Sequence, residues 1–310
     1  MTPSPFCGGR WQRVALMVLQ AAVSLWFVAS AIGKLIDIDS FEVYFFSFGF
    51  VGLSASMVLA RVVVAVELLL GMALLCGIMP RRAALLLLGL TIVFCCFLGY
   101  AEWIGRHDDC HCMGALASMS PAVSLLKNAV IIVLLLLLLR GGMYCWAARW
   151  YAWLPLAVAL TAGVFVVSVP DNWMFGKGEE AYNAELLDSL SASDAPLHDA
   201  HIGEGRKVVV MASEGCAYCR MALKKLKTIA DRHDLRDDDF VVILASQKSE
   251  AKDDGIPMLQ GRRYVISNAD FLHLTYGARP IILLMEEGRA VASYHYRNIN
   301  ESEIAQFLKQ

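Results

Sequence analysis

The chain has 310 residues, of which 57% are hydrophobic, and a formal net charge of −2. The charge is unevenly divided. Residues 1–170 contain ten Lys and Arg against seven Asp and Glu, whereas residues 171–310 contain 17 against 22. Nucleic-acid-binding chains carry a dense basic patch, and neither part has one, so the composition argues against a nucleic-acid partner. It predicts an apolar membrane domain followed by a soluble domain.

Five segments of the first part are apolar over about the 20 residues that a helix needs to cross a bilayer. Basic residues such as Arg81, Arg82 and Arg140 mark one set of segment ends, whereas the other set is mostly acidic. By the positive-inside rule the N-terminus is cytoplasmic, and five crossings put the soluble domain outside. A signal peptide cleaved after Ala31 is the alternative for the first segment. The predicted spans are 13–36, 56–79, 83–104, 120–140 and 150–169, with outer loops at 37–55 and 105–119.

The soluble part alternates short β-branched runs with helical patterns. Residues 247–275 give mixed signals and are interpreted as an insertion, and Asn300 is placed to cap the last helix. The linker is expected to contain a short helix at 179–190. The predicted strands are 207–212, 240–245, 281–285 and 290–296, and the predicted helices of this domain are 219–233 and 301–309.

Cys216 and Cys219 form a CxxC motif where the first predicted strand gives way to a helix. Unpaired N–H groups and the positive end of the helix dipole favour a thiolate on Cys216. Thiolate is the species that attacks a disulfide, and Cys219, one turn later, is close enough to resolve the mixed disulfide. A structural disulfide or half of a zinc site is the alternative, but a second CxxC is absent. The motif predicts a redox-active pair.

The element order in residues 205–310 is βαβ, then a β-hairpin, then a helix, and Arg279-Pro280 opens the strand before the hairpin. This arrangement resembles the TlpA-type branch of thioredoxin-like proteins. The resemblance implies an α/β thioredoxin-like fold, a cis peptide bond at Pro280 and a substrate-docking edge there that faces the CxxC. The chain departs from the family at Glu214-Gly215, where a Trp is usual.

Four motifs of the membrane part occur in a fixed order: Ala31-Ile-Gly-Lys-Leu35, Glu67-Leu-Leu-Leu-Gly71, Cys110-His-Cys-Met-Gly114 and Lys127-Asn128. Together they resemble the DoxX clan of four-helix membrane proteins, most closely its MauE branch. Members of that branch are typically paired with a separate thioredoxin-like protein and linked to disulfide formation. The resemblance implies that the partner is fused here as the C-terminal domain, with the fifth span placing it outside.

A disulfide between Cys110 and Cys112 closes a small strained ring, which makes it easier to reduce and hence more oxidising. Such a pair is suited to take electrons from Cys216 and Cys219. The resemblance implies a quinone in the bilayer as the next acceptor. Glu67 and Lys34 are candidates for a quinone or proton role, because an ionisable residue in a span is usually functional or paired. A purely structural ion pair, with Arg61, Lys34 or Lys127 as the partner of Glu67, is equally compatible with the sequence.

Two other interpretations stay open. Thiolates and imidazoles are crowded in the loop, so His107, Cys110, His111 and Cys112 are an alternative site for zinc or copper. The relay could also run in reverse and deliver reducing power to outer thiols through the membrane cysteines Cys76, Cys95 and Cys96, which are otherwise small apolar residues of the helices.

We therefore predict a multi-domain membrane enzyme of the bacterial inner membrane, a thiol–disulfide oxidoreductase that oxidises extracytoplasmic protein thiols. No covalent cofactor is expected. The predicted fold is an α-helical transmembrane bundle with an α/β thioredoxin-like domain. The predicted domains are 1–140 for the four-helix core, 141–170 for the fifth span, 171–205 for the linker and 206–310 for the thioredoxin-like domain.

Overall fold

A computed structural model describes residues 10–106, 109–145, 153–170, 181–192, 195–213, 215–246 and 262–309. The chain divides into two compact units. One, here called the membrane unit, contains Met1–Tyr44 and Val58–Val169. The other, here called the sheet unit, contains Phe45–Met57 and Pro170–Gln310.

Four helices of the first part are long and apolar enough to cross a membrane, which confirms a multi-pass membrane region. Each begins and ends within a few residues of a predicted span. Pro residues at the first positions of two of them, Pro80 and Pro121, suit a helix start, where the missing N–H is not needed. The four helices are α1 (Arg10–Ile36), α3 (Leu53–Leu75), α4 (Pro80–Trp103) and α5 (Pro121–Gly141).

Two further helices differ from the sequence expectation. The predicted outer loop 37–55 contains a helix, α2 (Ile38–Phe46). The predicted fifth span contains α6 (Trp153–Val167), which has 15 residues and is therefore about 22 Å long. The described part of this helix is thus shorter than the roughly 30 Å hydrocarbon core, and residues 146–152 before it lie outside the described residues. The fifth crossing therefore stays a prediction.

Apolar side chains of α1, α3, α4 and α5 form the core of the membrane unit, which includes Phe27, Leu74, Leu87 and Leu135. Gly71, from the second sequence motif, lets α3 approach α1 closely. A Cβ added at Gly71 would lie 3.2 Å from the Phe27 Cβ and 3.3 Å from the Val28 nitrogen.

The sheet unit is built on five strands in the order β3-β2-β1-β4-β5. Strands β1, β2 and β3 are parallel, whereas β4 and β5 run antiparallel to β1. Alternate residues of β1 face opposite sides, so Val208 and Val210 join one core and Val209 and Met211 the other. The strands are β1 (Arg206–Ser213), β2 (Phe240–Ser246), β3 (Arg262–Ser267), β4 (Ile281–Glu286) and β5 (Arg289–Tyr294).

Helices cover both faces of the sheet. α8 and α10 pack on one face, and α7 and α9 on the other. The Asn300 side chain accepts a hydrogen bond from the Glu303 amide at 3.4 Å, which confirms the predicted cap of α10. The helices are α7 (Ala184–Ser191), α8 (Ala217–His233), α9 (Asn268–Thr275) and α10 (Glu301–Lys309).

The interpretation of 247–275 as an insertion is wrong for its second half. Residues 262–275 supply strand β3, which extends the parallel part of the sheet, and helix α9. Residues 247–261 lie outside the described part of the chain, as does the start of the predicted linker helix at 179–190. The rest of that prediction corresponds to α7, which begins later, at Ala184.

One segment far from the sheet in sequence belongs to the sheet unit. Phe46, Leu53 and Met57 are buried in the same apolar cluster as α8 and α10. The Leu53 amide donates to Glu301 Oε2 at 2.8 Å, and the Arg232 guanidinium lies 5.9 Å from the centre of the Phe46 ring.

Candidate functional site

The Cys110–Cys112 loop connects α4 to α5 and is closed by one carboxylate. Asp109 Oδ1 accepts hydrogen bonds from the amides of His111, at 2.9 Å, and Met119, at 3.2 Å. The Cys110 amide donates to the Met119 carbonyl at 3.1 Å. These bonds tie the two ends of the loop together and fix the positions of both cysteines between them.

The loop is seated on α1 at Gly33. A Cβ added at Gly33 would overlap the Met113 carbonyl oxygen, and one added at Gly114 would overlap the Gly33 backbone. Gly114 also has a positive φ of 53°, which favours glycine. The Ser30 hydroxyl donates to the Cys112 carbonyl at 3.2 Å. Gly33 and Gly114, which belong to two different motifs and are 81 residues apart in sequence, thus form the two sides of one backbone contact.

Both thiols of this loop are buried, with Cys110 0% and Cys112 5% exposed. Cys110 Sγ lies 2.9 Å from Ser124 Oγ on α5. The hydrogen bond from the Cys112 side chain, together with that from Ser124, lowers the pKa of Cys110 to about 6. The same bond to Cys110, together with burial, raises the pKa of Cys112 well above its usual value. At neutral pH the reduced pair therefore carries a thiolate on Cys110 and a proton on Cys112.

A small polar cavity of about 30 Å³ adjoins Cys112 inside the membrane unit. Its polar lining is Ser30, Lys34, Glu67, Thr91, Cys112, Lys127 and Asn128. Lys34 Nζ donates to Glu67 Oε2 at 2.6 Å and to Ser30 Oγ at 2.8 Å. The structure thus brings the candidates Lys34 and Glu67 together and selects Lys34 as the ion-pair partner of Glu67. Arg61, another predicted partner, instead binds Glu42 Oε2 at 2.9 Å.

The residues proposed for a metal site do not converge in the part of the chain that the structure describes. His111 Nδ1 lies 3.3 Å from Asp37 Oδ2. Within the described residues, no group of three or more His, Cys, Asp and Glu side chains could hold a metal ion. His107, the first residue of the alternative metal set, lies outside the described residues.

Cys216 is the N-cap of α8, as the CxxC spacing predicts. Its Sγ accepts a hydrogen bond from the Cys219 amide at 3.2 Å, and the side chain is half-buried. Cys219 is 1% exposed. Burial, together with the hydrogen bond to Cys216, raises the pKa of Cys219 to about 12. The pair therefore presents one accessible sulfur that accepts a helix amide, and one buried thiol that stays protonated.

Pro280 lies at the end of β4 nearest the CxxC. The Arg279–Pro280 peptide bond is cis, as the resemblance to thioredoxin-like proteins implies. Ile281 pairs with Met211 on β1, so Pro280 stands beside the strand end that leads to Cys216. Arg279 Nη1 donates to Ser213 Oγ at 3.2 Å, and the Ser213 carbonyl accepts a hydrogen bond from the Cys216 amide at 3.3 Å. Pro280 and the two cysteines thus belong to one connected site.

Sequence reasoning missed several residues around both pairs. Ser124 contacts Cys110, and Asp109 closes the loop that carries both cysteines. A serine near the start of a helix and an aspartate in an acidic loop are both common, so the sequence does not mark either residue as part of a site. In the sheet unit, Lys225 is fully buried and donates to the Tyr296 carbonyl at 3.3 Å. Tyr218, between the two cysteines, stacks on Tyr296 with ring centres 4.7 Å apart. The helical stripe of α8 marks its buried face, but it does not single out Lys225.

The fold and the cysteine pairs define a multi-pass membrane protein with an attached five-stranded sheet domain and two close thiol pairs. The family model for methylamine utilisation protein MauE matches residues 12–141. The match covers all four of the long apolar helices and the Cys110–Cys112 loop. Comparisons with curated proteins and with solved structures give no match. The N-terminal region is therefore MauE-like.

Proposed function

We propose that this chain is a membrane-bound thiol–disulfide oxidoreductase. In this proposal the Cys216–Cys219 pair exchanges disulfides with extracytoplasmic proteins, and the Cys110–Cys112 pair takes the electrons onward. Net flow is oxidative, so the partner proteins gain disulfides. The chain lies in the bacterial inner membrane with its N-terminus in the cytoplasm and its sheet unit in the periplasm.

The observation that carries the proposal is the unequal construction of the Cys216–Cys219 pair. An attacking sulfur must be accessible and contacted by hydrogen-bond donors, and Cys216 is half-buried at the start of α8 and accepts a hydrogen bond from the Cys219 amide. A resolving thiol must be protected until the mixed disulfide forms, and Cys219 is buried and protonated. The strand order, the position of the CxxC after β1 and the cis peptide before β4 support a thioredoxin-like identity for the sheet unit.

Electrons pass between the two cysteine pairs in two successive thiol–disulfide displacements. The Cys216 thiolate attacks the Cys110–Cys112 disulfide, forms a mixed disulfide and releases one thiolate of the loop. Cys219, after losing its proton, attacks the Cys216 sulfur, closes the Cys216–Cys219 disulfide and releases the second thiolate. Two electrons move from one pair to the other.

The membrane-unit pair must open for this exchange. Cys110 has no exposed surface and Cys112 has 5%, so neither sulfur is accessible to a protein thiol in the closed loop. Opening requires the loop to leave its contact with Gly33. A quinone dissolved in the bilayer would supply the oxidising equivalents that return the reduced pair to its disulfide.

A stoichiometric titration tests the proposal without any quinone. The fully oxidised chain, in lipid nanodiscs, is mixed with an excess of a reduced dithiol peptide, and the peptide disulfide formed in one turnover is counted. We expect two equivalents for the unmodified chain and one for Cys112→Ser, since that variant retains only the CxxC. Cys216→Ser is expected to give none. Two equivalents from Cys112→Ser would refute the relay, and no peptide oxidation by the unmodified chain would refute the oxidase assignment.

A further inference from the structure

A lipid-facing groove lies between α1 and α5, directly beside the polar cavity at Cys112. The groove has a volume of about 330 Å³, within the range of small-molecule sites. Its wall is apolar except at one residue, Lys127, and includes Ala22, Val23, Trp26, Val130 and Leu134. Trp26 and Val130 are 40% and 53% exposed on the outer surface of the helices.

Lys127 joins the groove to the cavity. Its side chain lines both, as do those of Trp26 and Ile131. It lies six residues after the start of α5, about 9 Å along the helix. A molecule in the groove that reaches Lys127 is therefore separated from Cys112 only by the small polar cavity.

The charge on Lys127 lacks a direct partner in the described part of the chain. Lys34 is paired with Glu67, but the Lys127 ammonium makes no hydrogen bond or ion pair with any described residue, although it is within electrostatic reach of Cys112 and Glu67. An ammonium group within a membrane span is costly unless it is paired. With two lysines and one carboxylate, the cavity favours a ligand that has an oxygen acceptor or gains negative charge.

We propose that Lys127 anchors the oxygen of a lipid-soluble quinone whose ring and tail occupy the α1–α5 groove. This inference rests on the proposed function, because it identifies the acceptor for the Cys110–Cys112 electrons. An amphipathic oxidant fits the site: the apolar wall takes the hydrocarbon, and the Lys127 ammonium donates to a carbonyl oxygen. Lys127 is then the positioning residue for electron transfer out of Cys112.

The reaction balances with this acceptor. The Cys110 thiolate and the Cys112 thiol form a disulfide and lose two electrons and one proton. The quinone takes the two electrons, that proton and a second proton from solvent, and leaves as hydroquinone. The positive charge of Lys127 stabilises the negative charge that develops on the acceptor oxygen.

Binding of a short-chain quinone analogue tests the inference on the full chain in nanodiscs. The affinity is measured by equilibrium binding, and the contact residues are mapped with a photoreactive form of the analogue. We expect label within residues 22–26 and 127–134. Lys127→Met should weaken binding by about tenfold or more, since it removes a charged hydrogen-bond donor, and Lys127→Arg should restore most of it. Arg140→Met, at the other end of the same helix, is the matched control and should leave the affinity unchanged.

A second pair of variants tests the groove without touching charge. Val130→Trp fills the groove and should abolish binding, whereas Val133→Trp is the control, because Val133 is similarly exposed but does not line the groove. Label outside the groove, equal affinity for Lys127→Met and the unmodified chain, or occupation by a lipid acyl chain only would overturn the inference. The peptide titration above contains no quinone, so failure of the oxidoreductase assignment and failure of the quinone site give different results.

Discussion

Each of the two cysteine pairs has one thiol whose pKa is raised, Cys219 or Cys112, but the other sulfur of each pair is contacted by different groups. In the sheet unit, the amide of Cys219 at the start of α8 donates to Cys216, and burial keeps Cys219 protonated. In the membrane unit, the thiolate of Cys110 is supported by side chains, Ser124 and Cys112 itself.

The pairs also differ in access. Cys216 is half-buried at the surface of the sheet unit, whereas Cys110 is fully buried. The loop that contains Cys110 is held in place by the hydrogen bonds to Asp109 and by close packing against Gly33. Under the proposed function, this difference suits Cys216 to exchange with several protein partners. It suits Cys110–Cys112 to exchange that the loop controls and that occurs next to a cavity within the membrane unit.

Removing the accessible sulfur should have the largest effect. Cys216→Ser eliminates the attacking thiolate, so we expect peptide oxidation to fall by about a thousandfold or more. The matched control is Cys145→Ser, which removes another exposed cysteine and should keep nearly full activity. Retained activity in Cys216→Ser would mean that substrates reach the membrane-unit pair directly. That result would contradict the proposed difference in access between the two pairs.

Breaking the buried ion pair beside Cys112 should be the next largest effect. Lys34→Met leaves the Glu67 carboxylate buried without its partner, which costs about 3–5 kcal/mol of stability. The fall should appear in the thermal unfolding of the purified protein. The double variant Lys34→Met/Glu67→Leu removes both charges and should recover most of the loss. Equal unfolding temperatures for Lys34→Met and the unmodified chain would show that the pair contributes little to the membrane unit.

A single added methyl group should weaken the packing of the Cys110–Cys112 loop against α1. Gly33→Ala places a methyl group against the Met113 carbonyl, so the loop must move, at a cost of about 1–3 kcal/mol. Alkylation of Cys110 and Cys112, followed by mass spectrometry of their peptides, should become at least about tenfold faster. Gly89→Ala on α4 is the control, because a Cβ at Gly89 meets no atom within 4 Å. Unchanged alkylation in Gly33→Ala would contradict control of access by the loop.

The smallest expected effect concerns the support of the Cys110 thiolate. The pKa of Cys110 is about 6, so its thiolate takes up a proton, and its reactivity falls, as the pH drops through that value. Ser124→Ala removes one hydrogen bond to the thiolate, so the fall should begin about one pH unit higher. The ultraviolet absorbance of the thiolate, followed against pH, measures the shift. Ser124→Thr should retain the low pKa of Cys110, and the control Ser118→Ala, at an exposed serine of the same loop, should leave that pKa unchanged. A Ser124→Ala titration identical to that of the unmodified chain would show that Ser124 does not support the Cys110 thiolate.

Local patterns were enough to predict much of this structure. Short β-branched runs located four of the five strands, and the CxxC between a strand-like run and a helix-like run marked the start of α8. Strand β3 was missed because Arg262-Arg263-Tyr264 gives little of the apolar signal of a buried strand, and β3 is the edge strand of the sheet within the described residues. Residues 45–57 carry no local sign that Phe46 joins the core of the sheet unit.

The sequence alone did not predict which residues far apart in the chain contact each other. Glu67 had three basic residues as possible partners, and only the packing of α3 against α1 selects Lys34, 33 residues away. The hydrogen bond between Cys110 and Ser124 also depends on how the loop folds back on α5. Hydrophobic periodicity fixes which face of a helix is buried, but it does not fix which residues of two helices meet.

Trapping the exchange intermediate is the most direct test of the relay. In Cys219→Ala, Cys216 lacks its resolving thiol, so a mixed disulfide with the oxidised membrane-unit pair should accumulate and survive acid quenching. We expect non-reducing digestion and mass spectrometry to find the Cys216 peptide joined to that of Cys110 or Cys112, and to lose the product when both loop cysteines are replaced by Ala. Absence of this product, in a protein whose Cys216 still attacks a small-molecule disulfide, would contradict transfer between the two pairs.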